Sequence, residues 1–345
     1  MSMKQWRFRF SSVVTILLIA IYFLLIPALA HVPIFESGGK SPETATSAAS
    51  PDISKVLYGK ISAGELIYCS FKMDKGERIV LGLTIPVEQG RQGFTPDLIL
   101  MGPGLTNEGK VPTNLEVPKG YGVKVYSGNL SNGPEYEEFT PSAFYNLASP
   151  DLIAPESGTY YVVVSSTKES GNYGIVIGYK EIFTLIEWIS IPINQIKVYL
   201  WEGQSLVMIL SPLVITLALG ILALFFKRKD TSDFSPAKFS GVFAGLFFLG
   251  TGLSFLLQML ISLSKSAYTS AASITLILAL VSIILGLLTL RLCLKDKGHS
   301  ARSTKKSLYF FIIGIAGLLL WAGWFAGPLL AFVAAVLRWK NKEIS

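Results

Sequence analysis

Residues 155–179 read PESGTYYVVVSSTKESGNYGIVIGY, and residues 182–201 follow as IFTLIEWISIPINQIKVYLW. In the first stretch Tyr161, Val163 and Ser165 alternate with Tyr160, Val162 and Val164, so both faces of a strand would be largely apolar, as at the centre of a sheet. Gly158 and Gly171 open two such strands, with a polar turn between them. In the second stretch the strand rhythm stops and a long apolar run begins. The boundary near residue 181 therefore divides the chain into a β part and a helical part.

Working back from 155, short strand-like segments recur at Val56–Ile61, Glu65–Met73, Arg78–Ile85, Asp97–Met101 and Gly122–Tyr126. Ile67, Cys69, Phe71 and Met73 would share one face. Short strands punctuated by Gly, Pro and Asn predict a β-sandwich over 55–181. The runs ELIYCSFKMDKGERIVLGL, TPDLILMGPGL and PESGTYYVVVSSTKESGNYGIVIGY together resemble the pre-peptidase C-terminal (PPC-like) domain, a small secreted β-sandwich. Gly76, Asp97, Gly158, Tyr160 and Tyr173 stand where that pattern expects them, and segment 102–150 is longer than the family core. The resemblance implies a non-catalytic accessory or binding module rather than a reaction, and it leaves the helices unexplained.

Working forward from 201, four apolar runs lie at 205–226, 239–263, 271–290 and 308–337, within a helical membrane region 205–338. The first three suit the roughly 20 residues that a bilayer crossing needs. The fourth is long and contains Trp321, Gly323, Trp324, Gly327 and Pro328 at its middle; it is either a hairpin of two short helices or one long crossing. None of the four runs contains Asp, Glu, Lys, Arg or His. Coupled transporters usually keep such groups inside the membrane, so a transporter component is the less favoured alternative, with Gln258 as its most polar mid-helix side chain. Gly241-x-x-x-Gly245 would allow close backbone approach between helices or with partner subunits. Residues 182–204, interrupted by Pro192, read as an interfacial helix or as a helix packed on the sandwich.

The charge pattern sets an orientation. Residues 31–204 carry 13 basic and 19 acidic groups, while Lys227, Arg228, Lys229, Lys238, Arg291, Lys295, Lys297, Arg302, Lys305 and Lys306 flank the apolar runs and Arg338, Lys340 and Lys342 lie at the end of the chain. Basic loops remain cytoplasmic. This places the β domain outside the cytoplasm and the tail 339–345 inside, and explains the net charge of +7 without a nucleic-acid surface. Residues 1–30 have Lys4, Arg7 and Arg9, an apolar run Val13–Ile26, Pro27 and then Ala28-Leu29-Ala30, the form of a signal peptide, with an uncleaved anchor as the rival reading. Residues 31–54 form an extended arm or linker. Cys69 and Cys293 fall on opposite sides of the expected membrane, so no disulfide joins them.

Candidate sites are few. Cleavage after Ala30 would expose His31, whose amine and imidazole could chelate copper. This is similar to the N-terminal histidine of copper-dependent oxygenases, including the copper subunit of particulate methane monooxygenase. Those proteins use a second histidine, whereas His299 here lies in a basic loop. Glu36, Asp97 or Met101 could add a ligand. Asp97 could instead bind Ca²⁺ with Glu156, or cap a turn at a strand start. Glu135, Glu137 and Glu138 read as a solvated acidic loop. Asn129-Leu130-Ser131 is an N-glycosylation sequon. No Ser-His-Asp or Cys-His set assembles without His31, so a hydrolase is disfavoured. The leading expectation is a non-enzymatic membrane protein that displays its β-sandwich for ligand or partner binding. It would act as an accessory subunit or homo-oligomer in the lipid bilayer; the alternative is a copper metalloprotein or carrier.

Overall fold

The computed structural model describes residues 31–35, 38–130, 133–227, 235–294 and 304–343. The segment 1–30, Glu36 and the loop containing His299 lie outside them. The β domain has two sheets. The first runs in the order β1 (Val32–Ile34), β3 (Lys55–Ile61), β12 (Gly171–Ile177), β5 (Arg78–Pro86), β9 (Ser142–Ala148) and β8 (Pro134–Glu137), with β10 (Asp151–Ile153) also on β5. The second runs β2 (Thr46–Ser47), β4 (Leu66–Met73), β11 (Gly158–Ser165), β6 (Asp97–Pro103) and β7 (Tyr121–Tyr126). A short helix, α1 (Val87–Arg91), follows β5.

The alternation read in the sequence is realised in β11, which pairs Val162 with Cys69 of β4 on one side and Leu100 of β6 on the other. Tyr160, Val162 and Val164 enter the core between the sheets, where they meet Leu57, Phe71, Leu83 and Ile175. Val163 faces the other way, against Leu66, Tyr68, Ile99 and Met101, with Leu115 of the 104–120 loop covering them. Each fully buried side chain of this size contributes about 1.5–3 kcal/mol of transfer free energy. The Tyr160 hydroxyl, at the edge of this core, donates to the Glu156 carbonyl at 2.8 Å, as in a tyrosine corner. Gly102 lies under the Tyr160 ring, where any Cβ would collide with it.

The arm 31–54 is stitched to both sheets. Its β1 adds parallel to β3 and its β2 adds parallel to β4. Strands β8, β9 and β10 are absent from the sequence reading. Segment 134–153 mixes acids, prolines and aromatics, so its pairing with β5 leaves no clean period-two signal.

The helical part begins with α2 (Leu185–Trp201), whose first turn is closed by a Thr184–Glu187 capping box. Then come α3 (Leu206–Lys227), α4 (Pro236–Leu263) and α5 (Ala272–Leu294). These three are long and apolar enough to cross a bilayer. The last apolar run forms α6 (Thr304–Leu319) and α7 (Ala326–Glu343), separated by a turn in which Trp321, Gly323 and Trp324 have positive φ. Helices α4 and α5 approach closely at Gly245 and Gly286, where a Cβ on Gly286 would lie 2.8 Å from the Gly245 carbonyl oxygen. Gly241 admits Cys293 and Phe310 in the same way. At the end of the bundle away from the β domain, buried Arg338 donates to the Ala237 carbonyl at 2.8 Å and stacks over Phe310. Cys69 and Cys293 are both buried, one in β4 and the other in α5.

Replacing Tyr160 by Phe should cost about 0.5–1.5 kcal/mol through its hydroxyl, and replacing it by Ala about 3–5 kcal/mol through the cavity left behind. Hydrogen-exchange protection of the β11 amides in the full-length protein would measure both, and equal losses for the two variants would contradict this account of the core.

Candidate functional site

An extended polar network lies where the β domain meets the helices, around the turn between β8 and β9. Residues 138–141 enter the bundle there, and three of their carbonyls meet donors from three helices. Thr275 Oγ1 of α5 donates to the Glu138 carbonyl at 2.5 Å, Gln195 Nε2 of α2 to the Phe139 carbonyl at 2.8 Å, and Ser262 Oγ of α4 to the Pro141 carbonyl at 2.9 Å. Thr275 spends its proton on Glu138, so the 2.7 Å contact with Tyr136 is donated by the tyrosine hydroxyl. Buried backbone acceptors require such partners.

Beside the turn, the Ala143 amide donates to Glu202 Oε1 at 2.8 Å. Gln204 Nε2 donates to Glu202 Oε2 at 3.0 Å, and the Gln204 and Gln258 amides exchange hydrogen bonds of 2.8 and 2.9 Å. Gln258 thus belongs to this seam, near the β-domain end of α4. Phe139 packs edge-on against Trp321, whose indole N–H donates to the Trp188 carbonyl. The positive φ of Trp321 is a strained conformation for a bulky residue. It is held by this bond and by the Gly323 amide, which donates to Thr251.

Above the turn lies a cavity of about 350 Å³. Its floor is the outer face of the first sheet, because Val56, Tyr58, Gly82, Thr84 and Val176 are the residues that alternate with the core positions. Helix α2 and Trp321 form the opposite wall. Tyr58 meets Trp201 edge-on at 4.9 Å between ring centroids. The Trp201 indole donates to the Tyr173 carbonyl and its own carbonyl accepts from Asn172, so the end of α2 is tied to β12.

Glu135, Glu137 and Glu181 line the cavity, and no lysine or arginine among the described residues lines it. Burial pushes the Glu137 carboxyl up to about 8, with the neighbouring Glu138 adding repulsion and Glu181 a smaller share. The Phe139 amide, which donates to it, opposes this only weakly. Burial likewise raises Glu202 to about 7, against the Ala143 amide and Lys265, which favour its ionised form. Glu138 is also raised by burial. The acidic segment is therefore not a solvated loop: Glu138 is buried and Glu137 partly so, because the turn is enclosed by helices.

His31 lines the same cavity, and burial lowers its pKa, favouring the neutral ring. Its Nδ1 lies 2.5 Å from Ser54 Oγ. Asp97 begins β6 and accepts from the Gly128 amide at 3.0 Å, tying down the loop after β7. Glu156 lies beside Gly104, past the other end of β6, so the strand separates it from Asp97. Among the described residues no group of three His, Cys, Asp or Glu side chains is arranged to hold a metal. Asn129 is exposed in the loop after β7.

No protein-family model matches the chain. No curated protein matches it. Among solved structures it is similar to the Salmonella Typhimurium PliG, a periplasmic lysozyme inhibitor of g-type lysozyme, at 17% identity and a TM-score of 0.22, covering 41% of this chain and 98% of that one. A mutant of the Escherichia coli PliG is similar at 17% identity and a TM-score of 0.21, covering 39% and 98%. Likenesses at these scores carry no argument about fold or function.

The raised carboxyls link stability to pH. Above the ordinary value of 4.5 an unfolded chain releases the Glu137 and Glu202 protons, whereas the folded chain keeps them to about 8 and about 7. The folded state then binds more protons, so its stability should fall as pH rises through that window and level off above it. Thermal unfolding at several pH values should show this decline, reduced in Glu137→Gln and reduced further in Glu137→Gln/Glu202→Gln. An unchanged pH slope in the double variant would rule out these two groups as its source.

Proposed function

We propose that this is a non-catalytic integral membrane protein that presents its β domain outside the cytoplasm as a binding module, in the manner of the PPC-like accessory domains it resembles, and serves a larger membrane assembly. The observation that carries this reading is the cavity enclosed jointly by the sheet, α2 and Trp321. A ligand held there would touch both parts of the molecule at once. Clefts between structural units are favoured ligand sites.

The charge distribution supports the orientation. Lys238, Arg291, Lys305 and Arg338 lie toward the helix ends remote from the β domain, and basic segments stay on the cytoplasmic side. Helix α2 would lie along the outer membrane surface. Leu185, Ile186, Ile189 and Ile193 form an exposed apolar stripe on it, while Ile191, Val198 and Trp201 are buried. Outside the cytoplasm, Asn129 would be accessible to glycosylation in a host that performs it.

A membrane-impermeant maleimide applied to intact cells should label Lys119→Cys, in the loop before β7, and leave Lys297→Cys unlabelled until the cells are opened. The reverse pattern would overturn the orientation and the external binding role with it.

A further inference from the structure

The seam cavity combines three features that narrow its ligand. Its carboxyls include Glu137, set in the turn between the sheet and the helices, and no lysine or arginine among the described residues lines the cavity. A carboxyl in such a place is costly to ionise unless a cation accompanies it. The walls carry rings from both parts of the molecule. Tyr58 and Trp201 meet edge-on, and so do Phe139 and Trp321, with their planes at 68° and 85°. A cavity lined by both aromatic rings and carboxyls suits an alkylammonium, which is drawn to aromatic faces and sheds its hydration easily.

Other ligand classes fit less well. An anion would meet carboxyls and no lysine or arginine among the described lining residues. A bare metal ion would need converging ligands, and no such group occurs among the described residues. At about 350 Å³ the cavity is near the lower end of the roughly 300–1,000 Å³ range of ligand pockets. It has room for a small molecule or a lipid head group, but not for a whole diacyl lipid.

We propose that this cavity binds a small organic cation, an ammonium group bearing an apolar substituent. The ammonium would lie against Glu137 and the substituent among Tyr58, Phe139, Trp201 and Trp321. This assignment deepens the reading of the β domain as a binding module and rests on it. The cation comes either from a free amine or from the head group of an ammonium-bearing lipid.

The test uses the full-length protein in nanodiscs of an uncharged galactolipid, whose surface neither attracts nor repels a charged probe, titrated by calorimetry with benzyltrimethylammonium against empty discs. One saturable site is expected. Benzyl alcohol and benzenesulfonate, which keep the ring and lose or reverse the charge, should give no saturable heat. Glu137→Gln should weaken binding by about tenfold or more, as loss of a charged partner does. Glu135→Gln, at the exposed rim, should weaken it less. The contrast among the three probes needs only the wild-type protein, so it stands even if Glu137→Gln fails to fold. Repeating the titration in phosphatidylethanolamine discs separates the sources. A weaker apparent affinity there identifies a competing lipid head group, and an unchanged one identifies a free amine. Absence of saturable binding, equal binding of benzenesulfonate, or an affinity unchanged in both variants would overturn the proposal. The labelling experiment reads orientation without any ligand, so the failure of one is distinguishable from the failure of the other.

Discussion

The architecture depends on the satisfaction of three turn carbonyls by three separate helices. The β8–β9 turn leaves the sheet and enters apolar surroundings, where an unpaired carbonyl would cost a large share of a domain's net stability. Thr275, Gln195 and Ser262 meet the carbonyls of Glu138, Phe139 and Pro141. Each donor belongs to a different helix, so one turn sets the relative position of α2, α4 and α5 as well as that of the sheet. Hydrogen bonds are directional, unlike the greasy contacts around them, and this specifies one docking geometry where apolar packing alone would allow several.

From that constraint the rest of the seam follows. Docking the turn carries Glu137 and Glu138 out of water and brings Ala143 to Glu202. It sets Phe139 on Trp321, whose backbone occupies a conformation that bulky residues seldom adopt. It also leaves a space between the sheet and α2, walled by rings and edged by carboxyls. Strain, raised carboxyl pKa values and a cavity coincide at one place, the place of the proposed binding site.

Some of this was legible in the residues. The apolar runs declare three helices able to cross a bilayer, since length and hydropathy are local properties. The alternation in β11 declares a central strand and the pattern of β4 a strand with one apolar face, because a strand's two faces are written at every second residue. Segment 134–148 was not legible as a hairpin. Tyr136, Phe139 and Phe144 are interleaved with acids and proline, and the segment pairs with β5 across a register shift. Gln258 stood out as polar within an apolar helix, yet its partner Gln204 lies beyond the preceding helix, and no sequence spacing joins them.

By itself the sequence determined a two-sheet domain followed by apolar helices, and an excess of acid on one part set against basic flanks on the other. Those properties depend on each residue and its near neighbours. Only the tertiary structure decided that Glu137 and Glu202 belong to one buried seam, that Trp321 faces a sheet, and that His31 and Trp201 border the same cavity. The physical reason is that desolvation and enclosure arise from whatever surrounds a side chain in space. Here the surroundings come from strands and helices distant in the chain.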